Sequence, residues 1–104
     1  MMRGPGATAL LGRALTASAA RAGAHIAIAR DEATAWHSAT FTGARHAFEI
    51  TAPACGLIAD WLATIGDADL PLAGHLLADL SVTHRAEQAG TLHLRIEALT
   101  VAAA

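Results

Sequence analysis

The stretch Trp36-His37-Ser38-Ala39-Thr40-Phe41-Thr42-Gly43-Ala44-Arg45-His46-Ala47-Phe48-Glu49-Ile50 decides how the chain folds. Residues 37–50 are read as one long strand whose alternation breaks in the middle. Phe41 shares parity with Ala39, whereas Phe48 shares parity with Ile50, so both rings reach one core only if an extra residue intervenes. Gly43 is the natural seat of a β-bulge that would supply it, and the bulge is the favoured expectation. The competing reading is a regular strand that leaves Phe41 exposed at an interface.

Upstream, residues 7–22 place Ala7, Leu10, Leu11, Ala14, Leu15, Ser18 and Ala22 on one arc of a helical wheel, with Gly23 as the stop. Residues 24–30 alternate as a short strand carrying Ile26 and Ile28, and Asp31 to Ala35 are read as a turn. Downstream, Thr51, Ala52 and Pro53 offer an N-cap and an early proline for a second helix that runs to Ile65 and stops at Gly66. Its apolar arc is Ala54, Leu57, Ile58, Trp61, Leu62 and Ile65. After a loop over residues 67–74 come two strands. Residues 75–84 turn Leu76, Ala78, Leu80 and Val82 inward, and residues 91–101 turn Leu92, Leu94, Ile96 and Ala98 inward. Setting Val82 opposite Leu92 puts Asp79 against Arg95, with Arg85 to Ala89 as the loop. The order is α-β-β-α-β-β, an α+β fold with a four-stranded antiparallel sheet and two helices on one face. The halves resemble each other at offsets near 47 and 50, as an αββ duplication would leave them, although biased composition also produces such matches.

The 104 residues suit a single domain over 1–104, with 1–6 expected to be disordered and a core within 7–101. Hydrophobic residues make up 54%, but alanine fills 28 positions, and Lys, Asn and Tyr are absent. Burial at about 25 cal/mol per Å² must therefore come from a few large side chains, and oligomerisation would supplement so small a core. No stretch reaches the roughly 18 consecutive apolar residues of a membrane span, so no membrane partner is expected. Residues 1–30 hold four Arg and no acid, and the remainder three Arg against nine acids. Four dispersed arginines make no nucleic-acid-binding cluster. The acid-poor start resembles a transit peptide, yet Gly12 and Arg13 interrupt any secretory apolar run. With one Cys and no glycosylation sequon, the expected compartment is the cytoplasm.

Established catalytic motifs are missing. There is no Gly-Lys step for a P-loop, and Gly-x-Ser-x-Gly, His-Glu-x-x-His and Cys-x-x-Cys do not occur. No catalytic residue and no cofactor are assigned. Six histidines, at 25, 37, 46, 75, 84 and 93, are never closer than nine positions, against the three to five residues between paired zinc ligands, so no metal site is expected within one chain. Cys55 sits where a helix dipole could activate it, but on the edge of the apolar arc it reads as inert. The candidate ligand-binding residues are Trp36, Ser38, Thr40, Arg45 and His46. An Arg beside hydroxyls and exposed backbone donors can hold a carboxylate or phosphate, provided that a bulge turns Arg45 and His46 toward one ligand.

The motifs Ser38-Ala39-Thr40-Phe41-Thr42-Gly43-Ala44-Arg45-His46, Gly74-His75-Leu76-Leu77-Ala78-Asp79 and Glu97-Ala98-Leu99-Thr100-Val101 resemble a family of small uncharacterised bacterial proteins of similar length. The resemblance spans residues 24–101 and implies that the Trp36 to His46 stretch is a feature of the fold. It brings no reaction with it. The reading that results is a non-enzymatic binding or protein-interaction module, homodimeric through the sheet face away from the helices. That face is expected to carry Leu77, Asp79, Arg95, Glu97, Leu99 and Val101. The alternative is a small-anion binder or enzyme built on Arg45, His46 and the nearby hydroxyls.

Overall fold

A computed structural model describes residues 6–103. Helix α1 (Ala7–Arg21) leads into strand β1 (Ala27–His37) and strand β2 (Thr42–Pro53). Helix α2 (Gly56–Thr64), extended by a 3-10 turn at Ile65–Asp67, leads into β3 (His75–Gln88) and β4 (Thr91–Ala102). The four strands form one antiparallel sheet in the order β1-β2-β4-β3, and the α-β-β-α-β-β order is as the sequence indicated. Expected disorder over residues 1–6 falls outside the described residues except at Gly6, which is ordered as the N-cap of α1. Among the described residues, no helix is long and apolar enough to cross a membrane.

Both helices bury one stripe against the same sheet face. Helix α1 supplies Leu11, Leu15 and Ala19, and α2 with its 3-10 turn supplies Ile58, Trp61, Leu62 and Ile65. These cover Phe48, Ile50 and Ala52 of β2 and Leu92, Leu94, Ile96 and Ala98 of β4. Arg21 closes α1, and Gly23 at φ +82° completes the stop: its N–H bonds to the Ala20 carbonyl while the Ala24 N–H reaches the Ala19 carbonyl at 2.8 Å. That pair of bonds is a Schellman cap. The indole Nε1 of Trp61 donates to Ser18 Oγ at 3.0 Å, tying the helices together.

The first hairpin differs from expectation. Residues 31–35 are not a turn, because β1 runs unbroken through them to His37. Asp31 to Ala35 contain neither Gly nor Pro to punctuate the strand, whereas Ser38 provides a capped turn. The Phe41 N–H donates to Ser38 Oγ at 3.0 Å, and the Ser38 N–H to the Phe41 carbonyl at 2.8 Å. No bulge occurs at Gly43. Strand β2 pairs in unbroken register with β4, and Phe41 lies in the turn, 57% exposed. Gly43 serves close approach instead: an added Cβ would overlap the Thr100 carbonyl oxygen and stand 2.8 Å from Cζ2 of Trp36.

The second half carries four further corrections. Thr51 to Pro53 end β2 and do not begin a helix; α2 starts at Gly56, and Leu57 is 51% exposed. Val82 faces Ile96, not Leu92, and Asp79 faces Leu99. The turn is only Ala89-Gly90, with φ of +52° and +80°, the double left-handed geometry of a type I′ hairpin. Finally, β3 has register shifts between Leu77 and Asp79 and between Val82 and His84. The first of these reverses the expected parity, turning Leu77 toward the core and leaving Leu76 64% exposed.

The contact over Gly43 gives a direct test. Gly43→Ala must push apart β2, the Trp36 ring and the β4 backbone, and is expected to lower stability by about 1–3 kcal/mol in urea unfolding. Gly56→Ala, with nothing within 4 Å of the new methyl group, is expected to leave the midpoint unchanged or raise it.

Candidate functional site

The five candidate ligand-binding residues do not converge. Ser38 and Thr40 belong to the β1–β2 turn, where the Ser38 hydroxyl is used as its cap. Trp36 lies one residue before the end of β1 on the sheet face away from the helices, its ring over Gly43 and its buried indole N–H without an acceptor among the described residues. Arg45 is exposed on that same open face. His46 points the other way. Without a bulge, neighbouring residues of β2 address opposite faces, so Arg45 and His46 cannot grip one ligand.

His46 is a structural residue, 2% exposed. Its Nδ1 lies 3.0 Å from Thr8 Oγ1 in the first turn of α1, and its Nε2 lies 2.8 Å from Thr100 Oγ1 on β4. A neutral imidazole has one donor and one acceptor nitrogen, which two hydroxyls satisfy completely. The ring also stacks on Phe48, with centroids 6.4 Å apart. Burial, reinforced by the nearby charge of His75, holds its pKa below the usual 6.5. The neutral ring thus fastens the start of α1 to the two central strands, β2 and β4.

The open face is built in cross-strand rows, because directly paired residues point to the same side. One row reads Trp36, Gly43, Val101, Leu76 from β1 to β3, and the next reads Thr34, Arg45, Leu99, Asp79. Below them come Glu32, Ala47, Glu97, Ser81 and then Arg30, Glu49, Arg95, His84. One end of the face is therefore apolar and the other charged. Arg95 organises the charged end, lying 3.3 Å from Glu32, 3.4 Å from Glu97 and 4.0 Å from Glu49. The Arg95–Glu32 contact spans β2 above Ala47, which is only 8% exposed although it sits on the open side. The Glu32 carboxylate, followed by Glu97, raises the Arg95 pKa; the Thr83 hydroxyl, then Arg95, lowers that of Glu97.

Of the residues expected on this face, Asp79, Arg95, Glu97, Leu99 and Val101 are there, and Leu77 is not. Its place is taken by Leu76, joined by Trp36 and Gly43, which the sequence reading had assigned elsewhere. The β3 register also makes His84 and His93 diagonal neighbours, since His84 faces Arg95 and His93 faces Ala86. Among the described residues, no group of three or more His, Cys, Asp or Glu side chains is placed to hold a metal ion. Cys55 is an exposed free thiol ahead of α2. The chain matches no protein-family model, no curated protein and no solved structure.

The two neighbours on β2 should respond differently to truncation. His46→Ala leaves two hydroxyls without their partner, and the urea midpoint is expected to fall by the equivalent of about 1–3 kcal/mol. Arg45→Ala is expected to leave it nearly unchanged. The unfolded chain protonates His46 near pH 6.5, while the folded chain resists until lower pH. The contribution of the neutral ring is therefore complete above that value and shrinks as pH falls below it. Unfolding curves between about pH 7.5 and 5 should show a shallower decline in His46→Ala than in the unaltered chain.

Proposed function

We propose that the chain is a non-enzymatic protein-interaction module of the cytoplasm that works through its open sheet face as a homodimer. The observation that carries this reading is the apolar end of that face. Trp36, Leu76, Leu99 and Val101 lie together on the side that neither helix covers. An antiparallel sheet with helices on one side keeps such residues in water unless a partner covers them. The rim of charge around Arg95 adds the polar border of a protein interface. An exposed thiol suits a reducing compartment. The family resemblance brings no reaction, and the opposite orientations of Arg45 and His46 remove the geometry on which anion chemistry would depend.

Light scattering or sedimentation at about 100 μM, where micromolar association would be nearly complete, should report twice the chain mass. Val101→Arg and Leu76→Arg should give monomers whose melting temperatures in isolation remain those of a folded chain. A monomeric unaltered chain at that concentration overturns the reading.

A further inference from the structure

Arg45 and Asp79 are exposed charges on the apolar half of the open face, and neither has an ion-pair partner among the described residues. They stand in one row on either side of Leu99: Arg45 on β2, Leu99 on β4 and Asp79 on β3. They face the same direction two strands apart, about 10 Å at the usual strand spacing, with Leu99 between them, and they are not paired with each other within the chain. A second chain turned by a two-fold axis lying between two stacked sheets and running along β4 would set each Arg45 opposite the partner's Asp79.

The same operation acts on every row, because it lays β2 of one chain over β3 of the other. Leu76 then meets the Trp36 ring where it lies over Gly43. Ala47 meets Ser81, small against small, and Glu49 meets His84, acceptor against an imidazole N–H. On the axis the outward residues of β4 meet their own copies: Val101 and Leu99 pack on themselves, and Glu97 and Arg95 also face their like, so each Glu97 must be balanced between its own Arg95 and the partner's. An axis running across the strands at the middle of these four rows would instead lay the Trp36–Leu76 row on the row containing Arg30 and Arg95, apolar side chains against charges. Sheets stacked face to face also prefer strands within about 30° of alignment, as the axis along β4 gives.

Resting on the homodimer reading above, we propose that the partner is a second copy of this chain stacked about a two-fold axis along β4, with two reciprocal Arg45–Asp79 ion pairs setting the register. Such an interface is isologous: the same patch serves both sides.

Reciprocity gives a mixing test. The Arg45→Asp chain carries acids at both positions and the Asp79→Arg chain carries bases at both, so each should repel its own copy. Each single variant is expected to dimerise at least about tenfold more weakly than the unaltered chain. An equimolar mixture should recover dimerisation as a heterodimer, detected by native mass spectrometry or by energy transfer between differently labelled chains. The double variant Arg45→Asp with Asp79→Arg should recover a homodimer. Circular dichroism melts of the separate variants check that each is folded. If Val101→Arg dissociates the dimer but charge exchange neither weakens nor rescues it, the open face is the interface and this axis is wrong. An unaltered chain that stays monomeric overturns both this geometry and the homodimer reading.

Discussion

Everything in the fold depends on the pairing of β2 with β4. Each half of the chain is one helix and one hairpin, a unit whose alanine-rich core is too small to supply much stability by itself. Phe48 opposite Ile96 lies at the middle of the seam that joins them, and both side chains are fully buried. The strand order is symmetric about that seam, with one hairpin and one helix on either side. Side chains projecting from β2 and β4 toward the helices make one continuous core, to which α1 and α2 contribute from above. In a chain so rich in alanine, merging two small apolar faces into one is what brings the burial to the scale of a folded domain.

The seam also explains why polar groups sit at one end of the core. His46 and Thr100 extend the inward rows of β2 and β4 beyond Phe48 and Ala98, at the end of the sheet where α1 begins. An all-apolar layer there would bury α1 with no preference for rotation or depth, since alanines are nearly alike. The imidazole between Thr8 and Thr100 supplies a directional contact that alanine packing does not. Directly behind Thr100, its backbone carbonyl approaches Gly43 too closely for any side chain. The same few residues thus locate the helix on one side of the sheet and shape the open face on the other.

The layout was legible in the sequence because it follows from composition and period. Both helices and the inward set of β4 (Leu92, Leu94, Ile96, Ala98) follow from apolar spacing; that β4 set is buried, as are Leu11 and Leu15 of α1 and Ile58, Trp61, Leu62 and Ile65 of the second arc, whereas Ala22 and Leu57 at the edges of the arcs are exposed. Parity in the outer strands was not legible. Register shifts fall between Ile28 and Arg30 and twice in β3, where no glycine or proline marks them. A single extra residue exchanges the two faces of everything beyond it, which is how Leu76 and Leu77 changed places. The glycine that did attract a bulge was required by contact with Trp36. The last hairpin turn was missed because Ala89 adopts a left-handed conformation seldom taken by alanine, while the polar run Arg85 to Gln88 looked more like a loop. As a result, the candidate face was correctly placed in the architecture but one member of its residue set was wrong.

All the register shifts lie in β1 and β3, the two border strands, and β2 and β4 pair without interruption. A border strand presents a ladder of unpaired backbone donors and acceptors that any extended chain can copy. In β3 the two shifts cut that ladder into short lengths of different pitch, so a foreign strand that matches one falls out of step with the next. In β1 the regular length opens with the charges of Arg30, Asp31 and Glu32, all solvated. Sideways growth of the sheet into fibrils is thereby disfavoured at both margins by the same irregularities that hid the residue faces from the sequence.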